Sequence, residues 1–221
     1  MDQIFEAILE SDKAVARLLE TTPDLSKARI EQDYLVESIP HWLYMGDTAL
    51  HLAAAALRPA AAKLLIENGA DVNAQNRRRA TPLHYACDPR PKSDGVWDPE
   101  KQSELIALLV SHGARLDHVD MGGVSALHRA VRARSPEAVR QLLKEGARVD
   151  APTKQRSTPL HLAVQSTGAG GTAGAVAEQL EIIEMLLQYG ADPAVKDSRG
   201  RSAIDWATSE RISAALQKRS I

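Results

Sequence analysis

The chain has 221 residues, with 27 Lys and Arg against 29 Asp and Glu (formal charge −2), 44% hydrophobic and 25% charged residues. That balance excludes wholesale disorder and leaves no global field to draw in nucleic acid or an anionic membrane. Aromatic residues make up only 4%, so the core has to be built from Ala, Leu, Ile and Val, and the single cysteine, Cys87, forbids an intrachain disulfide and suits a reducing compartment.

In chain order, residues 1–40 come first and are acidic, with nine Asp and Glu against four Lys and Arg. Residues 20–48 are dense in apolar side chains: Tyr34, Leu35, Val36, Ile39, Trp42, Leu43, Tyr44 and Met45. Such a stretch is too apolar for a solvated loop. Either it folds back over the core beside it, or it leaves Trp42, Tyr44 and Met45 outside as an aromatic contact for a partner. From Thr48 onwards one phrase recurs, as Thr48-Ala-Leu-His51, Thr81-Pro-Leu-His84, Ser125-Ala-Leu-His128, Thr158-Pro-Leu-His161 and a degraded Ser202-Ala-Ile-Asp205. The starts are 33, 44, 33 and 44 residues apart. A second phrase follows the first four: Gly69-Ala70, Gly113-Ala114, Gly146-Ala147 and Gly190-Ala191.

Each unit reads as two short helices. Thr or Ser caps the first, and Pro82 and Pro159 suit its opening turn. The second shows apolar spacing near 3.6, as at Ala62, Leu65 and Ile66, and ends on a glycine placed for a left-handed cap. A hairpin of two such helices cannot bury its own apolar face; stacked copies can.

These phrases and the 33-residue period resemble the ankyrin repeat over roughly residues 43–208. The resemblance implies an all-α solenoid of stacked helix-turn-helix units with finger loops, whose concave side of fingers and first helices binds other proteins. Residues 1–42 then form an N-terminal capping element and extended finger, with 14–20 as its second helix. About five repeats fill 43–208, and 209–221 supply the closing helix. Insertions at 88–102 and 166–177 account for the two longer steps.

A 77-residue period underlies the shorter one: 48, 125 and 202 align, as do 81 and 158. Within it Gly46, Gly123 and Gly200 correspond, while Arg79 and Arg156 hold the same place in alternate units. Either the turn differs in those units or the arginine side chain compensates a left-handed backbone. Both insertions should leave from one edge, walling a shallow cleft floored by Arg132 and Arg134. Trp97 is expected to anchor the first insertion on its own scaffold. The Gly168-x-Gly170 stretch lacks the strand and lysine of a phosphate loop.

Four histidines in register, His51, His84, His128 and His161, are too far apart for joint metal ligation and suit hydrogen bonds from finger to finger. Cys87 should be buried and inert. No nucleophile–base set or paired carboxylates appear, so no enzyme activity, cofactor or metal is expected. The cations at Arg77, Arg78, Arg132, Arg134 and Lys154, with Trp42, Tyr44 and Met45, are the expected contacts for a protein partner with an acidic surface. Nucleic acid is disfavoured because the basic stripe is broken by Asp117 and Asp120 and lacks interleaved aromatics. Binding of an anionic polymer and action as a secreted effector on host proteins are the alternatives. The first residues lack the pattern of a signal peptide and no apolar run reaches the roughly 20 residues of a membrane span, so a cytoplasmic monomer is expected.

Overall fold

The computed structural model describes residues 3–36, 41–88, 98–165, 176–207 and 209–217. Their α-helices are α1 Gln3–Glu10, α2 Asp12–Thr21, α3 Ala49–Ala55, α4 Pro59–Glu67, α5 Pro82–Ala86 and α6 Pro99–Ser111, followed by α7 Ala126–Arg132, α8 Pro136–Lys144, α9 Pro159–Ala163, α10 Val176–Gln188, α11 Ala203–Trp206 and α12 Glu210–Gln217. A two-stranded antiparallel hairpin, β1 Tyr34–Val36 with β2 His41–Leu43, precedes α3. The odd-numbered helices touch in order, α1 to α3 and on to α11, and the even-numbered ones stack as a second layer, α2 to α4 and on to α12. The architecture is an all-α solenoid of stacked helix pairs with finger loops, as the resemblance implies.

The first layer is made of small residues because it is enclosed. Every residue of α3 is buried, and the interior is continuous from Ile4 and Phe5 to Ile212 and Leu216. The second helices α4, α6, α8 and α10 each close with a Schellman turn. The glycines at 69, 113, 146 and 190 sit at φ near +90°, and the following alanine N–H reaches a carbonyl five residues back at 2.9 Å (Ala70 to Leu65, Ala147 to Leu142). The Gly-Ala phrase is therefore one physical device: a left-handed cap followed by a small buried residue.

The histidines bind one unit to the next. His51 Nδ1 accepts the Thr48 N–H at 3.1 Å, completing a capping box, and its Nε2 donates to the Ala80 carbonyl of the following finger at 3.0 Å. His84 repeats this onto Val124 (3.0 Å), His128 onto Ser157 (3.2 Å) and His161 onto Arg201 (3.1 Å). The degraded phrase keeps only half the device. Asp205 accepts the Ser202 N–H and hydroxyl, each at 2.8 Å, and as a carboxylate it has no counterpart to the Nε2 donor.

The fingers are also joined tip to tip. Arg77 N–H donates to Met45 O, Met121 to Arg78, Lys154 to Gly122 and Ser198 to Gln155, at 2.8–3.0 Å. Arg79 and Arg156 take the same left-handed turn as the aligned glycines, at φ +61° and +60°. The turn is thus shared, and neither arginine side chain makes a hydrogen bond or ion pair among the described residues to offset it. The 77-residue period extends to Leu57 and Arg134, also left-handed at +50° and +56°. It also sets the insertions. α5 and α9 stop after five residues, and Gln102 and Gln179, 77 apart, reach back from the next helix to Ala86 O and Ala163 O, both at 2.8 Å. Residues 89–97 and 166–175, which hold Trp97 and the Gly168-x-Gly170 stretch, lie outside the described residues.

Two predictions follow from the finger contacts. A Cβ on Gly123 (φ +76°) would stand 2.7 Å from Lys154 N, whereas one on Gly200 (φ +74°) meets nothing within 4 Å. Gly123→Ala should cost at least about 2 kcal/mol and Gly200→Ala about 1, measured by urea unfolding, since only the first adds a clash to the backbone strain. The second concerns pH. Burial pushes the His84 imidazole down to about 3 and His128 to about 4, from 6.5, so both stay neutral in the fold while the unfolded chain takes up protons near 6.5. Stability is full above pH 6.5 and falls as pH drops through that window. At pH 5.0 each histidine should contribute a loss of about 2 kcal/mol relative to pH 7.5, and His128→Gln should reduce that pH sensitivity.

Candidate protein-binding face

The first finger is the hairpin. Strand alternation divides its apolar residues: Val36, His41 and Leu43 are buried, while Leu35 and Trp42, direct cross-strand partners, are 46% and 47% exposed. The segment thus covers the core with one face, and its other face leaves Leu35 and Trp42 exposed. Met45 is half exposed at the finger tip. Tyr44 is half-buried and carries the next finger. The Arg78 guanidinium lies 4.3 Å over its ring and donates to its hydroxyl at 3.1 Å, and Arg77 lies 5.6 Å from the ring centroid. Arg77 is paired with Asp33, whose carboxyl is held below its usual range first by the Met45 N–H and then by that arginine.

Behind the hairpin Asp47 is fully buried and accepts from Tyr44 N–H (2.7 Å), Asn76 Nδ2 (2.8 Å) and Tyr85 Oη (2.7 Å). Burial and this carboxylate push the Tyr85 phenol up, and the His41 ring lies 4.6 Å from it. On the other side Asp88, buried, accepts from Arg132 at 2.9 Å and Arg129 at 3.4 Å, and Arg129 also holds Asp120 at 3.0 Å. Burial raises the Asp120 carboxyl, but the Val124 N–H and Arg129 outweigh it and leave it lowered. These groups ring a cavity of about 210 Å³ lined by Trp42, Tyr44, Arg78, Tyr85, Asp88 and Arg132 among others.

Arg132 also lines a second cavity of about 310 Å³, with Val124, His128, Leu162, Arg199 and Trp206. Its far end repeats the Tyr44 arrangement. The Arg201 guanidinium lies 4.1 Å over the Trp206 ring, and Trp206 Nε1 donates to Asp197 at 3.0 Å. The concave side is thus a groove with two hollows, a shared arginine between them and an arginine on an aromatic ring at each end.

Of the expected contacts, Trp42, Tyr44, Arg78 and Arg132 come together at the first hollow. Met45, Arg77 and Lys154 lie on exposed finger tips, the Arg77 charge already met by Asp33. Arg134 is a correction. It is 4% exposed, its guanidinium turned inward to Ala163 O (2.8 Å) and Gln165 O, where it holds the end of α9. A left-handed backbone at residue 134 directs that side chain into the next unit, so Arg134 does not floor an open cleft. Arg129 and Arg132 are likewise drawn into pairs with Asp88 and Asp120. The patch is less positive than its sequence, and the free cations are Arg78, Arg79, Lys154, Arg156, Lys196 and Arg199, none in an ion pair among the described residues.

Asp88 and Trp206 were not singled out from sequence. Trp206 stands 77 residues after Arg129, a place that faces the groove, and that alignment is the signal that could have found it. Cys87 is buried, and burial pushes its thiol up, away from reactivity. Among the described residues no group of three or more His, Cys, Asp or Glu could hold a metal ion, and no helix is long and apolar enough to cross a membrane.

A family model described as ankyrin repeats (3 copies) matches residues 5–93 and 98–197. Human Rabankyrin-5 is 40% identical over 101 residues, covering 45% of this chain and 9% of that protein. The mouse B-cell lymphoma 3 protein homolog is 31% identical over 162 residues, covering 73% of this chain and 32% of its own length. Mouse ankyrin repeat and SOCS box protein 16 is 34% identical over 193 residues, 73% of this chain and 40% of that protein. The chain thus spans less than half the length of these relatives. Repeat phrases, stacked helix pairs and family match agree: this chain belongs to the ankyrin repeat family, whose repeats serve as protein–protein interaction modules.

Proposed function

We propose that the chain is a non-catalytic binding module that holds an acidic protein partner along its concave groove. The observation that carries this reading is the residual charge of the finger edge. After Asp33, Asp88, Asp120 and Asp197 have paired with Arg77, Arg129, Arg132 and Arg201, the tips still present Arg78, Arg79, Lys154, Arg156 and Arg199 without carboxylates of their own. The backbone that carries these cations is held in place, because each finger is tied to the next through backbone and histidine hydrogen bonds, and Arg78 is also held at its guanidinium by Tyr44. A rigid complementary surface raises association rate and specificity with little ordering cost. The aromatic and arginine composition of the first hollow is the type that dominates measured interfaces. Nucleic acid fits less well. Two carboxylates, Asp88 and Asp120, line the same wall as the arginines and would face successive phosphates.

Quantitative capture from the native proteome tests this. Proteins retained by the wild type should also be retained by a Glu104→Ala, Glu184→Ala variant, altered on exposed sites of α6 and α10 in the outer layer, and lost from Trp42→Ala, Arg132→Ala. Equal retention by both variants would rule out the groove. For a captured partner, Arg78→Glu should slow association about tenfold at low salt and flatten its salt dependence, with dissociation little changed. An unaltered association rate counts against steering by the fingers.

A further inference from the structure

We propose that the smaller hollow of the groove is a socket for one carboxylate side chain of an extended partner segment, with a neighbouring apolar side chain of that segment lying on Leu35 and Trp42. The inference rests on the concave-face reading and adds the chemistry of what binds: an acidic, apolar-bearing peptide.

Size and charge argue for it. At about 210 Å³ the hollow is smaller than the roughly 300–1,000 Å³ of small-molecule sites, and it suits a single side chain. Its lining holds three guanidiniums, Arg78, Arg129 and Arg132, against two carboxylates, Asp88 and Asp120. Arg129 is taken up by both carboxylates, and Arg132 shares one of them. Arg78 is held by the Tyr44 ring and hydroxyl, which fix its position without removing its charge. The buried Asp47 behind this wall is turned to Tyr44 N–H, Asn76 and Tyr85, whose donors fill its lone pairs. Among the groups that line the hollow itself, guanidiniums outnumber carboxylates by one. Arg78 and Arg132 both line the hollow and, beyond the bonds to Tyr44 and Asp88, keep guanidinium N–H groups that a carboxylate can accept from.

Leu35 and Trp42 supply the second half. They are paired across the hairpin on its outward face, and Trp42 also lines the hollow, so apolar and ionic surfaces adjoin. An extended chain advances about 3.3 Å per residue, which places the two anchoring side chains within about two residues of each other. Phosphate groups of a nucleic acid supply charge but no apolar side chain for the hairpin face.

Panning a random dodecapeptide display library on the full chain tests the proposal, followed by fluorescence anisotropy of the enriched peptides as synthetic probes. Enriched sequences should carry Asp or Glu within two positions of Leu, Ile, Phe or Trp. Changing that acid to its amide should weaken binding at least tenfold, as should R78Q, R132Q or W42A in the protein. K144Q, on α8 in the outer layer, should leave affinity unchanged, and thermal melts of all variants should confirm folding; Arg78→Lys should bind between wild type and R78Q if R78Q proves unstable. Enriched peptides without acids, or amide forms that bind equally, overturn the socket while leaving the concave-face reading to the capture experiment. The same holds for an empty selection. Tighter binding of a dT20 oligonucleotide places an anionic polymer there instead. Self-association at micromolar concentration that R78Q abolishes places the acidic N-terminal part of a second copy there; either result overturns the peptide proposal.

Discussion

Each of the four fingers after the hairpin is held by an imidazole that has been given two jobs. At Nδ1 the ring accepts the N–H of its own helix cap, which leaves the proton on Nε2, and Nε2 donates it to a carbonyl 29 or 40 residues further on. The tautomer is set by the cap, so the local start of a helix and the docking of the next repeat are one hydrogen-bonded unit. A net hydrogen bond contributes only about 0.5–1.5 kcal/mol, but an orphaned buried carbonyl costs about 1–3. A unit without its neighbour therefore loses more than contact area, which is why such repeats fold as a stack. The last unit shows the same logic by exception. There Asp205 takes the place of the histidine, an acceptor that caps its own helix.

The 77-residue frame shows how insertions are accommodated in such a lattice. A loop leaving between two helices truncates the first helix and exposes its final carbonyls. Gln102 and Gln179 answer this from one turn inside the following helix, and Arg134 adds a guanidinium at the second site, with Ser135 bonded to Gln102 at the first. The scaffold thus closes beneath each insertion. The fingers beyond it keep their register whatever the inserted residues do.

The repeats, their caps, the structural histidines and the left-handed glycines were legible in the sequence because they are fixed by local geometry at a regular stride. Charge was legible only as a total. Arg132 and Arg134 look equivalent in the chain, two residues apart on one turn. Yet the first opens onto the groove, and the second turns inward because residue 134 sits at φ +56° and its side chain meets carbonyls 29 and 31 residues away. Asp88 was hidden for the same reason. Its partners lie 41 and 44 residues downstream and are brought to it only by stacking. The hairpin is an intermediate case. Its apolar density was visible, but dividing it into a buried and an exposed face requires knowing that Tyr34–Val36 and His41–Leu43 are strands with period two rather than a cap with helical period.

Recognition on such a surface depends on how much of the arginine charge the fold has already answered. An isolated exposed ion pair adds little, and a guanidinium fully matched within the scaffold adds nothing to a partner. What remains for recognition is the arginine held by something other than a carboxylate. That describes Arg78 on Tyr44; at the opposite end Arg201 on Trp206 is partly answered by Asp197. The two ends lie three repeats apart, at roughly 8–10 Å per step, or about 25–30 Å of groove. An extended segment covers that length with about eight or nine residues. A partner gripping at both ends would then have to satisfy a length as well as a charge, because the finger ladder fixes the distance between them.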